Sequence, residues 1–300
     1  MTDLTGLFIP LITPLTAGGD VAATALERLA HRVLDDGAAG LVALGTTAEH
    51  ATLTEHERTL VLRTCVKVSR ERGTVLVVGA GGNDTARAAA ELAALRSYPE
   101  VSAALTVVPY YNRPGESGVL EHFRTLVTAS PVPLVIYHVP YRTGQPLTWA
   151  TIRQLAGLAG VAGIKHAPGV IDQDTVLMMA ERPAGFAVLA GDDVQAAALL
   201  ALGAAGAILA SAHLATAEFA RLVRLWRAGQ ADQARQLGHR LAPFSAALFN
   251  EPNPAVIKAV LHRRGEIPSP AVRLPLVPAS RAVVDAADRL EARISSADAA

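Results

Sequence analysis

Lysine is scarce in this sequence: of 27 basic residues, only Lys67, Lys165 and Lys258 are lysines. Lysine can lose its proton and act as a nucleophile; arginine effectively cannot. Lys165 follows the apolar run Val161-Ala162-Gly163-Ile164, which places it at the end of a buried strand. Poor solvation there lowers the amine's pKa and makes its neutral form available. A neutral amine condenses with a ketone, and the resulting iminium is an electron sink that stabilises an enamine. The plainer reading is a snorkelling or ion-paired lysine at a strand end, and position alone leaves both open. Lys67 and Lys258 fall on predicted helices, where the plainer reading is preferred.

Other polar residues sit at the ends of apolar runs. Tyr137 ends the run before Lys165's, and a tyrosine beside an amine can shuttle protons; a core tyrosine with a satisfied hydroxyl is the alternative. Thr46 and Thr47 follow Gly45, and hydroxyls and backbone N–H groups in such a turn can hold a carboxylate. Alone, Gly-Thr-Thr is more often just a turn. Arg142 follows Pro140 in a loop, where it can clamp a carboxylate or simply be solvated. Asp192 and Asp193 follow Gly191. They lack neighbours at metal-ligand spacing, so a helix N-cap role is preferred. The nine histidines form no zinc set, and no metal is expected. Phosphate-binding loops and the G-x-S-x-G elbow are absent.

These residues need a scaffold that brings strand ends together. Eight β-rich runs alternate with amphipathic stretches: Leu7–Thr13, Gly40–Leu44, Val75–Gly79, Ala103–Val108, Leu134–Val139, Val161–Lys165, Ala187–Ala190 and Ala207–Ala210. Most are continuously apolar, the pattern of parallel strands covered on both faces. Eight βα repeats in roughly 230 residues predict an α/β fold, a (β/α)8 TIM barrel, whose catalytic residues project from the C-terminal strand ends. Predicted helices include Ala23–Asp35, Glu55–Arg72 after a Thr54 cap, and a helix after Asn83-Asp84. The catalytic barrel is expected over residues 1–228. A small C-terminal helical region is expected over 229–300, with helices at Ala231–Leu248, Pro254–Arg263 and Ser280–Ile294.

The 300 residues carry no net charge, which argues against nucleic acid or an anionic membrane as partner. No apolar run reaches the ~20 residues of a membrane span. Met1 to Thr13 lack the basic start of a signal peptide. The single cysteine, Cys65, lies among apolar helix residues and reads as core. A cytoplasmic location is expected.

The motifs Gly45-Thr-Thr-Ala-Glu49, Val108-Pro-Tyr-Tyr-Asn-Arg-Pro114, Tyr137-His-Val-Pro-Tyr-Arg-Thr-Gly144, Gly163-Ile-Lys165, Gly191-Asp-Asp193, Gly206-Ala-Ile208 and Asn253-Pro254, in this order and spacing, resemble the dihydrodipicolinate synthase and N-acetylneuraminate lyase family of class I pyruvate aldolases. The resemblance runs along nearly the whole chain. It implies that Lys165 forms the Schiff base with pyruvate and that Tyr137 is the proton donor and acceptor. It implies that Thr46 links Tyr137 to Tyr111, with Tyr111 reaching in from a neighbouring subunit of a homodimer or homotetramer. Thr47 and the Ile208 backbone would hold the pyruvate carboxylate, and Gly191 is placed with the substrate-binding residues. Arg142 resembles the synthase branch, where an arginine meets the carboxylate of aspartate semialdehyde. The implied product is 4-hydroxy-tetrahydrodipicolinate, from a keto acid and an aldehyde. No cofactor is implied, because the lysine is itself the electron sink.

Three residues depart from the synthase pattern. Ala48 replaces a glycine and puts a Cβ where unusual backbone angles are expected. His138 replaces asparagine and Tyr141 a small residue, and both are expected to reshape the acceptor side of the pocket. The alternatives are therefore another pyruvate-dependent aldolase, lyase or dehydratase, acting on a sugar acid or in specialised metabolism, and a silent barrel that senses a keto acid. At the family's lysine-feedback site, Glu55 and Arg58 stand in histidine-like positions and Arg87 in a glutamate-like one, so weak inhibition by lysine is expected.

Overall fold

The computed structural model describes residues 3–295. Short apolar runs form eight strands: β1 (Gly6–Pro10), β2 (Gly40–Ala43), β3 (Val75–Gly79), β4 (Val101–Val107), β5 (Leu134–His138), β6 (Val161–His166), β7 (Ala187–Ala190) and β8 (Gly206–Ile208). They pair in parallel, in chain order, as a closed barrel. Closure pairs β1 with β8, Gly6 opposite Gly206 and Phe8 opposite Ile208. The backbones approach so closely here that a Cβ on Gly206 would lie 2.0 Å from the Gly6 carbonyl oxygen. This is the (β/α)8 fold that the pattern predicts, with several strands one to three residues shorter or longer than the apolar runs.

The helices outside the barrel are α1 (Ala23–Asp35), α2 (Glu55–Arg72), α3 (Thr85–Ala94), α4 (Gly115–Ala129), the single turn α5 (Pro140–Thr143), α6 (Trp149–Ala156), α7 (Gln173–Glu181), α8 (Ala196–Ala201) and α9 (Thr216–Arg227). Thr54 and Glu57 make a reciprocal capping box at the start of α2, and Asp84 accepts from Arg87 N at 3.1 Å to cap α3. These bonds satisfy N–H groups that a helix start leaves without partners.

Alternation along each strand divides the apolar residues into two layers. Phe8, Val42, Val77, Val135, Leu189 and Ile208 fill the barrel, together with Tyr137. Their neighbours, such as Leu41, Leu76, Ile136 and Val188, pack outward against the helices. Cys65 lies in this outer core, fully buried.

Beyond the barrel come α10 (Ala231–Leu248), α11 (Ala255–Arg263) and α12 (Arg281–Ser295). α10 packs on α8, α9 and α12. Leu237, Phe244, Val256 and Ile257 belong to the same apolar core as the barrel's outer face, so no gap in the core separates these helices from the barrel. Residues 296–300 of the expected C-terminal region, and residues 1 and 2, lie outside the described residues. Among the described residues, no helix is long and apolar enough to cross a membrane.

Candidate active site

Lys165 and Tyr137 are direct partners across β5 and β6. Both are buried, each about 7% exposed, at the C-terminal end of the barrel, where (β/α)8 enzymes carry their chemistry. Lys165 Nζ lies 4.3 Å from the centre of the Tyr137 ring. Burial pulls the ammonium pKa below its ordinary value; the Asp193 carboxylate opposes this and the Arg142 guanidinium adds to it. Burial pushes the Tyr137 hydroxyl up to about 12, against the opposing pull of Arg142 and a hydrogen bond with the Thr46 side chain. The pair thus joins an amine biased toward its neutral form to a phenol that keeps its proton until a reaction takes it.

Thr46 and Thr47 lie on a 3-10 turn (Thr46–Ala48) after β2. The backbone on either side of this turn is unusual: Leu44 and Glu49 both adopt φ of 54°, in the left-handed region. Such strain in residues other than glycine costs energy and tends to gather at functional sites. Ala48 itself carries no positive φ. The expectation that its Cβ meets unusual angles is therefore corrected: the left-handed residue is the next one, Glu49.

Arg142 sits on α5, exposed at the mouth. Its Nε donates to the Tyr141 hydroxyl at 2.9 Å, and its guanidinium lies 5.0 Å from the centre of the Tyr141 ring. Tyr141 thus holds Arg142 at the mouth of the barrel. His138 follows Tyr137 on the strand, so its ring faces away from the barrel interior and bonds Leu147 N and His166. The expectation that His138 reshapes the acceptor side by its own bulk is corrected by this strand parity, which keeps its ring out of the barrel interior.

Gly191 follows β7 and leaves room for the Lys165 side chain; a Cβ there would lie 2.7 Å from Lys165 Cγ. Ile208 is fully buried in the barrel interior. Asp193 is not the cap of α8, whose N-cap is Gln195. It is buried and accepts from Ser211 N at 2.6 Å, and burial raises its pKa. Tyr111 is not brought to this site within one chain. It is 89% exposed on a strained loop with φ of 68°.

A cavity of about 270 Å³ opens beside Thr46, Tyr137 and Arg142, with Tyr110, Leu105 and Gly79 on its other walls. A larger recess, about 950 Å³, lies at the opposite end of the barrel. Its one arginine, Arg182, is already donating to the Met179 and Gly203 carbonyls, and the recess lies far from the Lys165–Tyr137 pair. The smaller cavity reaches that pair through Tyr137; Lys165 lies against the Tyr137 ring but does not line the cavity itself. Among the described residues, Glu27, His31 and Glu71 approach closely enough to share a cation, but the Lys67 ammonium already lies 2.6 Å from Glu27.

Asn253 joins the site from the C-terminal region: its Nδ2 donates to Thr47 Oγ1 at 2.9 Å. Thr47 must accept this bond, which frees its own hydroxyl hydrogen for a ligand. Five residues later Lys258 is wholly buried against Glu49. It lies on a helix, as predicted, but not on its surface. The sequence carried Asn253 only as part of a motif; nothing local indicates a partner 206 positions away.

The sequence matches the profile described as the Dihydrodipicolinate synthetase family over residues 3–295. It is 38% identical over 275 residues to 4-hydroxy-tetrahydrodipicolinate synthase 2 of Clostridium acetobutylicum, covering 92% of this chain and 95% of that one. The structure is similar to that of the 4-hydroxy-tetrahydrodipicolinate synthase of Methylacidiphilum fumariolicum SolV, with a TM-score of 0.92 at 29% identity over 98% of this chain and 96% of that one. It is also similar to the chloride-inhibited dihydrodipicolinate synthase of Acinetobacter baumannii solved with pyruvate, with a TM-score of 0.92 at 31% identity over 97% and 99% of the two chains. Barrel, motifs and relatives agree along the whole described length, and the chain belongs to the dihydrodipicolinate synthetase family.

Proposed function

We propose that this chain condenses pyruvate with L-aspartate semialdehyde to give 4-hydroxy-tetrahydrodipicolinate, through a Schiff base on Lys165. The observation that carries this reading is the pairing of Lys165 with Tyr137, buried side by side at the strand ends. The name of the Clostridium relative supports the reaction, and the pyruvate bound in the Acinetobacter neighbour supports the donor.

The neutral Lys165 amine attacks C2 of pyruvate. Tyr137, protonated at rest, gives its proton to the departing hydroxide, so water leaves and the iminium forms. The resulting tyrosinate takes a C3 proton, giving the enamine. C3 of the enamine bonds to the aldehyde carbon of the acceptor, and Tyr137 protonates the new alkoxide. The acceptor's amine then attacks C2; one of its protons passes to the departing Lys165 nitrogen and the other to the Tyr137 tyrosinate, which closes the ring as a cyclic imine and restores both residues. Thr46 holds the Tyr137 hydroxyl. Thr47, Ile208 and Gly191 border the pyruvate, and Arg142 receives the acceptor's carboxylate. Tyr111 completes the relay from a neighbouring copy in a homodimer or homotetramer, which suits its exposure. No metal or organic cofactor takes part, since the iminium is the electron sink, and the single buried thiol suits a cytoplasmic enzyme.

Borohydride trapping with pyruvate, read by intact mass and peptide mapping, tests the reading. Wild type should carry the reduced adduct on Lys165, and Lys165→Ala should carry none. Tyr137→Phe should lower kcat about 10²- to 10⁴-fold, the usual contribution of a positioned acid–base group. An adduct without turnover of L-aspartate semialdehyde would leave the Schiff base standing and move the acceptor to a sugar acid or another aldehyde. A folded wild type without any adduct would favour a silent barrel that binds a keto acid.

A further inference from the structure

His138 and His166 directly follow Tyr137 and Lys165 and are also paired across β5 and β6. Strand alternation turns them to the outer face, where the reaction does not use them. Their rings stack with centres 5.3 Å apart, and the two Nδ1 atoms are 3.4 Å apart. One polarity satisfies the whole group. Leu147 N donates to His138 Nε2 at 3.1 Å, so the His138 proton sits on Nδ1. His166 Nδ1 must accept it, which puts the His166 proton on Nε2. That group donates to Thr175 Oγ1 at 2.9 Å, and the Thr175 hydroxyl donates to Asp172 Oδ1 at 2.6 Å. Each imidazole acts as acceptor on one side and donor on the other. Asp172 is the N-cap of α7, so the line runs from the β5–α6 loop, across two strands, to a helix start.

His138 and Leu147 bracket the segment that holds α5 and therefore Arg142. Within it, Arg142 N and Thr143 N donate to Val139 O at 3.0 and 3.1 Å. These bonds shape the turn but do not fix its far end. Gln145 Oε1 accepts from Gly115 N at 3.1 Å and Thr148 N donates to Glu116 Oε1 at 2.6 Å, which tie that end to α4; the Leu147–His138 bond ties it to the barrel strand β5. We propose that His138 and His166 are positioning residues that close the base of this loop and hold Arg142 over the site, so that they set affinity for the acceptor's carboxylate and not for the keto acid. The inference rests on the function proposed above for Arg142.

The two carboxamide variants separate the two bonds of His138. In His138→Gln, Oε1 reaches the position of Nε2 and still accepts from Leu147 N. In His138→Asn, Nδ2 replaces the Nδ1 donor, but no acceptor reaches Leu147. His138→Asn should raise KM for L-aspartate semialdehyde about five- to tenfold, the effect of one lost hydrogen bond, with KM for pyruvate and borohydride trapping unchanged. His138→Gln should stay near wild type. Hydrogen exchange of the 139–148 segment, which needs no substrate, should speed up in His138→Asn and not in His138→Gln. Equal rises in both KM values, a glutamine variant no better than the asparagine one, or unchanged exchange in His138→Asn would overturn the inference. A wild type that traps pyruvate but does not turn over L-aspartate semialdehyde would instead overturn the proposed acceptor, and the exchange measurement alone would then decide whether His138 closes the loop.

Discussion

Lys258 Nζ lies 2.6 Å from Glu49 Oε1, and solvent reaches neither side chain (0% and 3% exposed). The pair joins α11 to the end of the turn that carries Thr46 and Thr47. Glu49 is doubly engaged, since its Oε2 accepts from Arg273 N at 2.8 Å. Arg273 itself pairs with Glu57 and donates to Thr52 O. With the Asn253–Thr47 bond, the C-terminal helices therefore grip the one turn whose hydroxyls face the site. Burial pulls the Lys258 pKa down while Glu49 opposes the shift. The two charges are tolerated because each is the other's solvation.

This predicts a non-additive response to mutation. Removing one partner of a buried pair leaves an unsolvated charge and costs about 3–5 kcal/mol, whereas removing both often costs little. Lys258→Met and Glu49→Leu should each lower the urea midpoint markedly. Lys258→Met/Glu49→Leu should recover much of that loss. The single variants should also raise KM for pyruvate, because the Thr47 turn loses its anchor. Urea titration with steady-state kinetics on the three variants checks this. Additive losses would mean that the pair contributes no coupling.

The anchor also marks where sequence reading stops. Lys165, Tyr137 and Thr46 were legible because they stand at or just after the end of an apolar run, and a barrel gathers all such ends; Arg142, in a loop after Pro140, was picked out by the motif that carries the family resemblance. His138 was expected to act on the pocket by its bulk, which neglects parity: if Tyr137 faces inward, its neighbour faces outward. Asp193 bonds Ser211, and Asn253 bonds Thr47, through loops far apart in the chain. No spacing rule encodes such contacts. The barrel itself was plain from eight apolar runs, whereas α7 and α8 were not singled out as helices.

Weak inhibition by lysine is the second prediction. Arg58 and Arg87 each lie 3.5 Å from Glu91. They border a cavity of about 470 Å³ with His50, Asn83 and Tyr110, next to the candidate site. Glu91 is already shared by two guanidiniums, and Asp84, the other acid on this wall, is engaged as the cap of α3 through Arg87 N, so a ligand ammonium meets two positive charges beside acids that already have partners. Initial rates should be unchanged within about twofold up to millimolar lysine, where binding is worth only about 4 kcal/mol. Half-inhibition at sub-millimolar lysine would show that the pocket rearranges to receive a cation.

Acid sensitivity of the fold is the third. Burial pushes His138 and His213 down to about 4 and His166 down to about 3. His213 is locked like the others: its Nε2 accepts from Ile12 N at 3.1 Å and its Nδ1 donates to Ala210 O at 2.8 Å. Above the unfolded value of about 6.5, neither state binds these protons and stability is at its full value. As pH falls below that value, the unfolded chain gains protons that the folded chain refuses, so stability drops until the folded pKa values are reached. The slope is up to roughly 1.4 kcal/mol per pH unit for each histidine. Asp193, whose pKa burial raises, works the other way, because the folded state keeps a proton that the unfolded state has released. Burial also lowers the pKa values of His50 and His122, so the histidines together outweigh Asp193 and the loss of stability is concentrated between about pH 6.5 and 4. Urea midpoints measured from pH 7.5 to 4.5 should fall steeply over the lower half of that range. The fall should be shallower in His138→Gln, which titrates one group fewer, whereas a flat profile in wild type would mean that these rings accept protons in place.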